Sequence, residues 1–267
     1  MTLWQAFILS LIQGITEFLP ISSSGHLVIT RELLHWQDAG VAFDAFTGLG
    51  TLTAVLFYYR KDVCSILYHW FRQFRHCDAP PAPEAKLGNQ LIVATLPALL
   101  IGFMVKDHID ALTHRPLLIA STTMIFAIFL AAADFWGRKK LSLPETNYRQ
   151  AFYYGLAQTL ALVPGVSRSG ITLTAGLAMH FSRESAARFS FLQSIPISAA
   201  AGGYGLWKLA TNPSDFSWQL IALSYVTATL AAYVCIALFI RFLNTVGMMP
   251  HVIYRLLLGA YLFFVFM

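Results

Sequence analysis

Apolar residues gather in six stretches, each near the roughly 20 residues that a helix needs to cross about 30 Å of hydrocarbon. They fall at about 41 to 59, 88 to 105, 117 to 136, 185 to 207, 219 to 240 and 250 to 267. Polar or broken segments separate them: the long loop from Arg60 to Gly88 containing APPAPEAK, then KDHIDALTHRP, GRKKLSLPETNYRQ, ATNPSDFS and NTVGMMP. Two further segments, about 3 to 35 and 149 to 180, are apolar but interrupted midway by Pro, Ser and Gly. Non-helical backbone at membrane depth survives only when it is buried in protein or lines a cavity. The pattern therefore predicts an all-α polytopic membrane protein, with about six transmembrane helices and two re-entrant helix-loop-helix segments.

The two broken segments resemble each other. QAFILSLIQGITEFLPISSSG from Gln5 lies beside QAFYYGLAQTLALVPGVSRSG from Gln150 at an offset of 145, with Gln5, Ala6, Phe7, Leu11 and Gln13 matched. Further on, Gly25 matches Gly170, His35 matches His180 and Phe46 matches Phe191, with a one-residue shift around Pro20 and Pro164. Three spans lie between the copies, so the second is expected to enter from the opposite face. This describes one membrane domain over 1–267, with repeat 1 over about 1–136 and repeat 2 over about 149–267. Inverted repeats of this kind place their site at the midplane, where half-helix N-termini hold anionic groups.

Composition agrees with the pattern: 57% of residues are hydrophobic, only 12% are charged, and the mean hydropathy is +0.61. A soluble domain carries about 25% charged residues, so an ordinary cytosolic enzyme is excluded. The net charge of +5 is expected to sit in cytoplasmic loops. No basic run with interleaved aromatics suggests nucleic acid, and none is expected as a partner. Arg60, Lys61, Arg72, Arg75, Lys86, Arg138, Lys139, Lys140, Arg149 and Arg241 fall in the loops 60 to 87, 137 to 149 and 241 to 249. Only Lys106, Arg115 and Lys208 fall in the opposite loops, so the first set is expected to be cytoplasmic. Both termini, and the mouth of the first broken segment, then face the exterior. The N-terminus lacks the basic region and cleavage site of a signal peptide and is expected to remain in the fold. Cys64, Cys77 and Cys235 form no metal-binding spacing.

The chemistry concentrates in the broken segments. The first holds Gln13, Glu17, Ser22, Ser23, Ser24 and His26 in an otherwise apolar stretch, and an ionisable group at membrane depth is a functional hypothesis by default. Gln13 and Glu17, four apart, share a helix face on which they could bind a hard cation; a capped helix end facing water is the simpler alternative. PISSSGH leaves the amides around Ser22, Ser24 and Gly25 free near a helix start, a geometry that suits phosphate but that equally makes an N-cap. The second segment supplies Arg168 with Ser167, Ser169 and Gly170. Its guanidinium fork suits phosphate oxygens, or else pairs with Glu17 across the repeat interface. The set suggests phosphoryl transfer from a lipid anchor, with Ser23 as nucleophile, His26 as its base, and metal and Arg168 neutralising charge. Lone histidines (His35, His69, His76, His108, His114, His180 and His251) and the carboxylates Asp44 and Asp134 carry no such spacing. SRESAAR reads as a helix start capped by Ser182.

QGITEFLPISSSGH from Gln13 to His26, with PGVSRSG and SRESAARFSFLQSIP from Pro164 to Pro196, resembles the undecaprenyl-pyrophosphate phosphatase family, the membrane enzymes that confer bacitracin resistance. The likeness runs over essentially the whole chain. It implies removal of the terminal phosphate from a C55 polyprenyl pyrophosphate, with a divalent cation (Mg2+ or Ca2+), in the bacterial inner membrane; the Lys and Arg asymmetry puts the expected active site on the exterior side, and a homodimer is left open. Carried over, the acidic pair falls on Gln13 and Glu17, the proposed nucleophile on Ser23, the histidine on His26 and the arginine on Arg168. The first position of the pair is often Glu in the family and is Gln here; Gly48 stands where His or Gln is often found.

A transporter or flippase of the polyprenyl lipid is the main alternative, because inverted repeats are transporter hallmarks. The clustering of Ser23, His26 and Glu17 favours chemistry, since transport needs no nucleophile. The phosphatidic-acid phosphatase superfamily fits less well, because no histidine follows Ser167 and Arg168 until His180.

Overall fold

The expected helices form, and they pack crosswise between the two halves of the chain. The computed structural model describes every residue except 38–39, 76–79, 114, 138–139 and 212–216, and except the side chains of 41, 106–111 and 113. His76, Cys77, His114, Arg138 and Lys139, and the side chains of Lys106 and His108, therefore lie outside the described residues. In chain order the helices are α1 (Leu3–Thr16), α2 (Ser23–Leu34), α3 (Gly40–Tyr58), α4 (Arg60–Gln73), α5 (Pro83–Thr113) and α6 (Pro116–Trp136). After a 3-10 turn at Leu143–Glu145 come α7 (Tyr148–Leu160), α8 (Arg168–Ala178), α9 (Arg183–Thr211), α10 (Trp218–Val246) and α11 (Met249–Phe266).

All six expected spans are helical, and four stretches are both long and apolar enough to cross a membrane: Pro83–Val105, Pro116–Trp136, Trp218–Val246 and Met249–Phe266. The apolar part of α3 is shorter, and α9 turns Ser190, Gln193 and Ser194 inward. Phe103, Phe135, Trp136, Trp218 and Phe264 stay exposed on the outside, as a surface facing hydrocarbon requires. One element was not expected. Residues 60 to 73, read as loop, form α4, whose Val63, Ile66 and Trp70 share one face at helical spacing. Ile66 and Trp70 come to rest against Gly88 of α5. Charges on the other face hide such a helix from a search for apolar runs.

The 145-residue offset reappears as geometry. Thr2 and Asn147 each cap their helix through a capping box, with Gln5 and Gln150 as the reciprocal partners. Ser22 and Ser167 each have positive φ, 74° and 72°. Each accepts the amide of the glycine three residues on, Gly25 at 3.3 Å and Gly170 at 3.2 Å. His35 and His180 follow with φ of 52° and 70°. Non-glycine residues rarely adopt positive φ, and these four give α2 and α8 the same backbone pattern, one before each helix and one just past its end.

Packing exchanges partners between the halves: α1 lies on α10, α7 on α5, α3 on α9 and α6 on α11. A Cβ on Gly14 would sit 2.6 Å from the Ala231 Cβ of α10, and one on Gly155 would sit 2.7 Å from the Ala94 carbonyl of α5. In lipid, where apolar burial drives little association, such small-residue seams let the backbones approach.

Arg255 of α11 joins the two strained turns. Its side chain is fully buried. Nε donates to the Thr123 carbonyl (3.1 Å), Nη1 to Pro20 (3.2 Å), and Nη2 to Gly165 and Val166 (both 3.0 Å). Arg255→Met leaves four carbonyls in the interior without these donors. We expect it to destabilise the fold by about 3 kcal/mol or more, read as a lowered midpoint of unfolding in detergent. An unchanged midpoint would show that the turns hold without it.

Candidate active site

Both broken segments deliver a helix start to one cavity of about 260 Å³, lined by Glu17, Ser22, Ser23, Ser24, Ala161, Ser167, Arg168, Ile197, Ser198 and Ala201. Glu17 caps the C-terminus of α1, Ser23 opens α2 and Arg168 opens α8. The chain turns sharply after Glu17 because Pro20 cannot continue a helix. Phe18 packs edge-on against Phe191 of α9 at 5.2 Å, which seats the turn in the core.

At the centre stands the Glu17 carboxylate, with donors on both oxygens. Oε2 accepts from Ser23 Oγ at 2.6 Å and from Gln13 Nε2 at 2.9 Å; Oε1 accepts from Arg168 Nη2 at 2.9 Å. The i, i+4 face expected for Gln13 and Glu17 is present, as is the Arg168–Glu17 pair across the halves. Arg168 Nη1 also donates to Ser198 Oγ at 2.9 Å and to the Ser194 carbonyl at 3.3 Å. Arg168 stands beside the one carboxylate, and Arg255 lies against the start of α8, where a Cβ on Gly170 would meet its Nη1 at 2.7 Å. The starts of α2 and α8 add their partial positive charge. An anion carrying more than one negative charge suits this field.

The serines divide the work. Ser22 and Ser167 hydroxyls cap the amides of Gly25 and Gly170, so these two glycines do not offer free amides to a ligand. Ser169 Oγ donates to the Leu19 carbonyl at 2.8 Å and ties the halves together. Earlier amides in each first turn have no partner within their helix. Ser24 lines the cavity, its hydroxyl 3.4 Å from that of Ser22.

His26 departs from expectation. Its Nδ1 lies 2.7 Å from the Ser22 carbonyl and its Nε2 lies 2.5 Å from Tyr254 Oη. The ring turns onto α11 and is absent from the cavity wall. The base within reach of Ser23 is Glu17. Sequence spacing put His26 three residues after Ser23, but the helix start sends the two side chains to different neighbours.

Arg255, Tyr254, Ser194 and Ser198 escaped the sequence analysis. The signal that singled out Arg168, an arginine in an apolar stretch, was equally present for Arg255 in HVIYRLLLGAYLFF. Nothing in the sequence marks Tyr254. Asp44 and Asp134 prove structural: Asp44 pairs with Arg31 at 3.3 Å, and Asp134 takes a bidentate bond from Arg183, both arms 2.7 Å. Ser182 caps α9 through the Ser185 amide. A Cβ at Gly48, where His or Gln is often found, would meet nothing within 4 Å.

Among the described residues no three His, Cys, Asp or Glu side chains cluster as a metal site. Glu17 is the one carboxylate lining the cavity. Gln13 presents its amide nitrogen to Glu17 and does not line the cavity, so Glu17 is the one charged ligand the cavity offers a cation. This fits only the mode in which an ion such as Mg2+ takes most of its ligands from phosphate and water.

The family model described as "Bacitracin resistance protein BacA" matches residues 6–261. Undecaprenyl-diphosphatase 1 of Pseudoalteromonas translucida is 44% identical over 260 residues, covering 97% of both chains. The undecaprenyl-diphosphatases of Saccharophagus degradans and Alcanivorax borkumensis are each 45% identical, over 263 and 264 residues, covering 98% of both chains. With near-complete coverage, and with the motifs of both broken segments meeting in one cavity, the chain belongs to the BacA bacitracin resistance family.

Proposed function

We propose that this protein is a multi-pass membrane phosphatase that cleaves undecaprenyl pyrophosphate to the monophosphate and inorganic phosphate, recycling the lipid carrier of cell-wall synthesis. The observation that carries the chemistry is the 2.6 Å bond from Ser23 Oγ to Glu17 Oε2, with Arg168 on the other carboxylate oxygen. A transporter needs neither a hydroxyl aligned on a base nor a guanidinium beside it.

In the mechanism the terminal phosphate enters between the two helix starts. Its oxygens take the first-turn amides of α2 and α8 and draw Arg168 Nη2 from Glu17, leaving that carboxylate to the Ser23 proton. As Glu17 takes the proton, Oγ attacks the terminal phosphorus. The bond to the bridging oxygen breaks, and undecaprenyl monophosphate leaves with the electron pair. Water then attacks the phosphoserine, the P–Oγ bond breaks, and Glu17 returns its proton to Oγ; the water protons leave on the released phosphate. Arg168 and the amides stabilise charge on the transferring group, the main demand of phosphoryl transfer. The Glu17 oxygen that Arg168 vacates, with Gln13 turning its amide oxygen inward, would hold a divalent cation that arrives with the pyrophosphate, and this cation would add positive charge beside the transferred group.

We expect Ser23→Ala to lower phosphate release about a thousandfold or more, and acid quenching of the wild type to trap a phosphoserine detectable by mass spectrometry. Substantial turnover in Ser23→Ala without phosphoserine would mean that water attacks directly. Arg168→Lys replaces the fork by a point charge and is expected to cost about a hundredfold in kcat/KM. Near-normal turnover would reduce Arg168 to a structural partner of Glu17.

The membrane is the bacterial inner membrane, with the site open to the exterior. Tyr58, Arg60, Lys61, Arg188 and Ile240 line one cavity, so the ends of α3 and α10 and the starts of α4 and α9 share the Lys- and Arg-rich face, read as cytoplasmic. On α9 the catalytic cavity is lined by Ile197, Ser198 and Ala201, nearer the Thr211 end than Arg183. A single cysteine placed in 208–218 should react with an impermeant thiol reagent added from outside, whereas one placed in 61–75 should not. The reverse pattern inverts the orientation.

A further inference from the structure

Tyr254 and Arg255 are neighbours on α11, and each reaches a different part of the broken segments. Arg255 holds the carbonyls of both turns. Tyr254 meets His26 of α2, with its hydroxyl 2.5 Å from Nε2 and the two rings stacked at 5.5 Å and nearly parallel, 6° apart. The opposite ring nitrogen, Nδ1, faces the Ser22 carbonyl at 2.7 Å. A carbonyl oxygen only accepts, so Nδ1 carries a proton. In the neutral ring Nε2 then holds the lone pair and accepts from the tyrosine hydroxyl.

The Ser22 carbonyl belongs to the peptide unit that joins Ser22 to Ser23. In a planar trans unit the C=O and N–H point in opposite directions. Pinning the carbonyl onto His26 therefore aims the Ser23 amide away from the imidazole, toward the start of α2 and the cavity. This is the peptide that follows the strained Ser22, whose φ is 74°, so its orientation depends on an outside restraint. The backbone amide of His26 adds only a longer bond to the same carbonyl, 3.2 Å.

We propose that Tyr254 is a positioning residue: through its hydrogen bond and stacking it fixes His26 in the Nδ1–H form, and His26 in turn fixes the Ser22–Ser23 peptide, so that Ser23 Oγ stays aligned on Glu17. His26 then acts on the backbone of the nucleophile's turn and takes no proton from Ser23. The proposal rests on the reading of Ser23 as the attacking group.

Three variants of the full-length protein in detergent test it: Tyr254→Phe, His26→Asn and the double variant. Phe keeps the ring and removes the hydroxyl. Asn keeps an N–H donor near the position of Nδ1 and removes Nε2. Phosphate release from undecaprenyl pyrophosphate is measured beside nitrogen-15 NMR of the histidine rings, with the His26 signal assigned by its loss in His26→Asn. Tyr254→Phe should lower kcat about ten- to hundredfold with little change in KM, as small misplacement of a reacting group does. It should also turn a single Nδ1–H signal of His26 into a mixture of tautomers. His26→Asn should keep measurable turnover, and the double variant should be no slower than His26→Asn alone, because the hydroxyl acts only through Nε2. A wild-type kcat in Tyr254→Phe, an unchanged His26 spectrum, or additive losses in the double variant would each overturn the proposal. Loss of all turnover in His26→Asn would restore His26 as the base. Absence of phosphate release by the wild type would overturn the substrate reading instead, and the NMR comparison would still decide the positioning role.

Discussion

A buried guanidinium with carbonyl partners governs the centre of this protein. Arg255 donates to Thr123 of α6, to Pro20 in the first broken segment, and to Gly165 and Val166 in the second. Interrupting a helix inside a membrane frees carbonyls that neither water nor lipid will satisfy, at a cost of several kcal/mol for each unsatisfied group. One side chain with five N–H donors in a fixed plane answers carbonyls from both interruptions at once. Lysine, with three donors on a single atom, has no comparable span. The two turns are therefore set relative to each other by the same group, and so are the helix starts that follow them.

The clamp also shapes the electrostatics. It adds a positive charge against the start of α8, the helix whose N-terminus, with that of α2 and the Arg168–Glu17 pair, lines the cavity. In the resting protein Glu17 is occupied on both oxygens, which keeps a lone carboxylate tolerable at this depth. In the mechanism proposed above, a phosphate that competes for Arg168 removes one of those restraints next to the Ser23 hydroxyl that Glu17 already holds. That mechanism links binding and activation through a single guanidinium and has the substrate complete the reactive arrangement.

Exchange of partners between the halves gives the arrangement its rigidity. α1 packs on α10 and α7 on α5, so each broken segment is held by the other half of the chain. Contacts around the cavity run the same way: Arg168 to Glu17, Ser169 to the Leu19 carbonyl, Tyr254 to His26. Neither half of the chain lines the whole cavity. Separating the halves would take apart the fold and the active centre in one step, which ties the geometry of the reaction to the stability of the whole.

Much of this was legible along the chain. Lengths of apolar stretches gave the spans, because the thickness of the bilayer fixes helix length. The Pro, Ser and Gly interruptions gave the broken segments, and the 145-residue offset gave their kinship, visible again in the matched φ values of Ser22 and Ser167. Polar residues in apolar surroundings marked Gln13, Glu17, Ser23 and Arg168, since burying them without purpose is costly. α4 stayed hidden because its apolar face is interleaved with charge. The partner of each polar group was a different matter. Whether Ser23 meets His26 or Glu17 depends on where the first turn of α2 points its side chains, and His26 there meets Tyr254 of α11, more than two hundred residues away. Spacing in sequence tells which groups can share a helix face; only the packing of distant helices decides which of them meet.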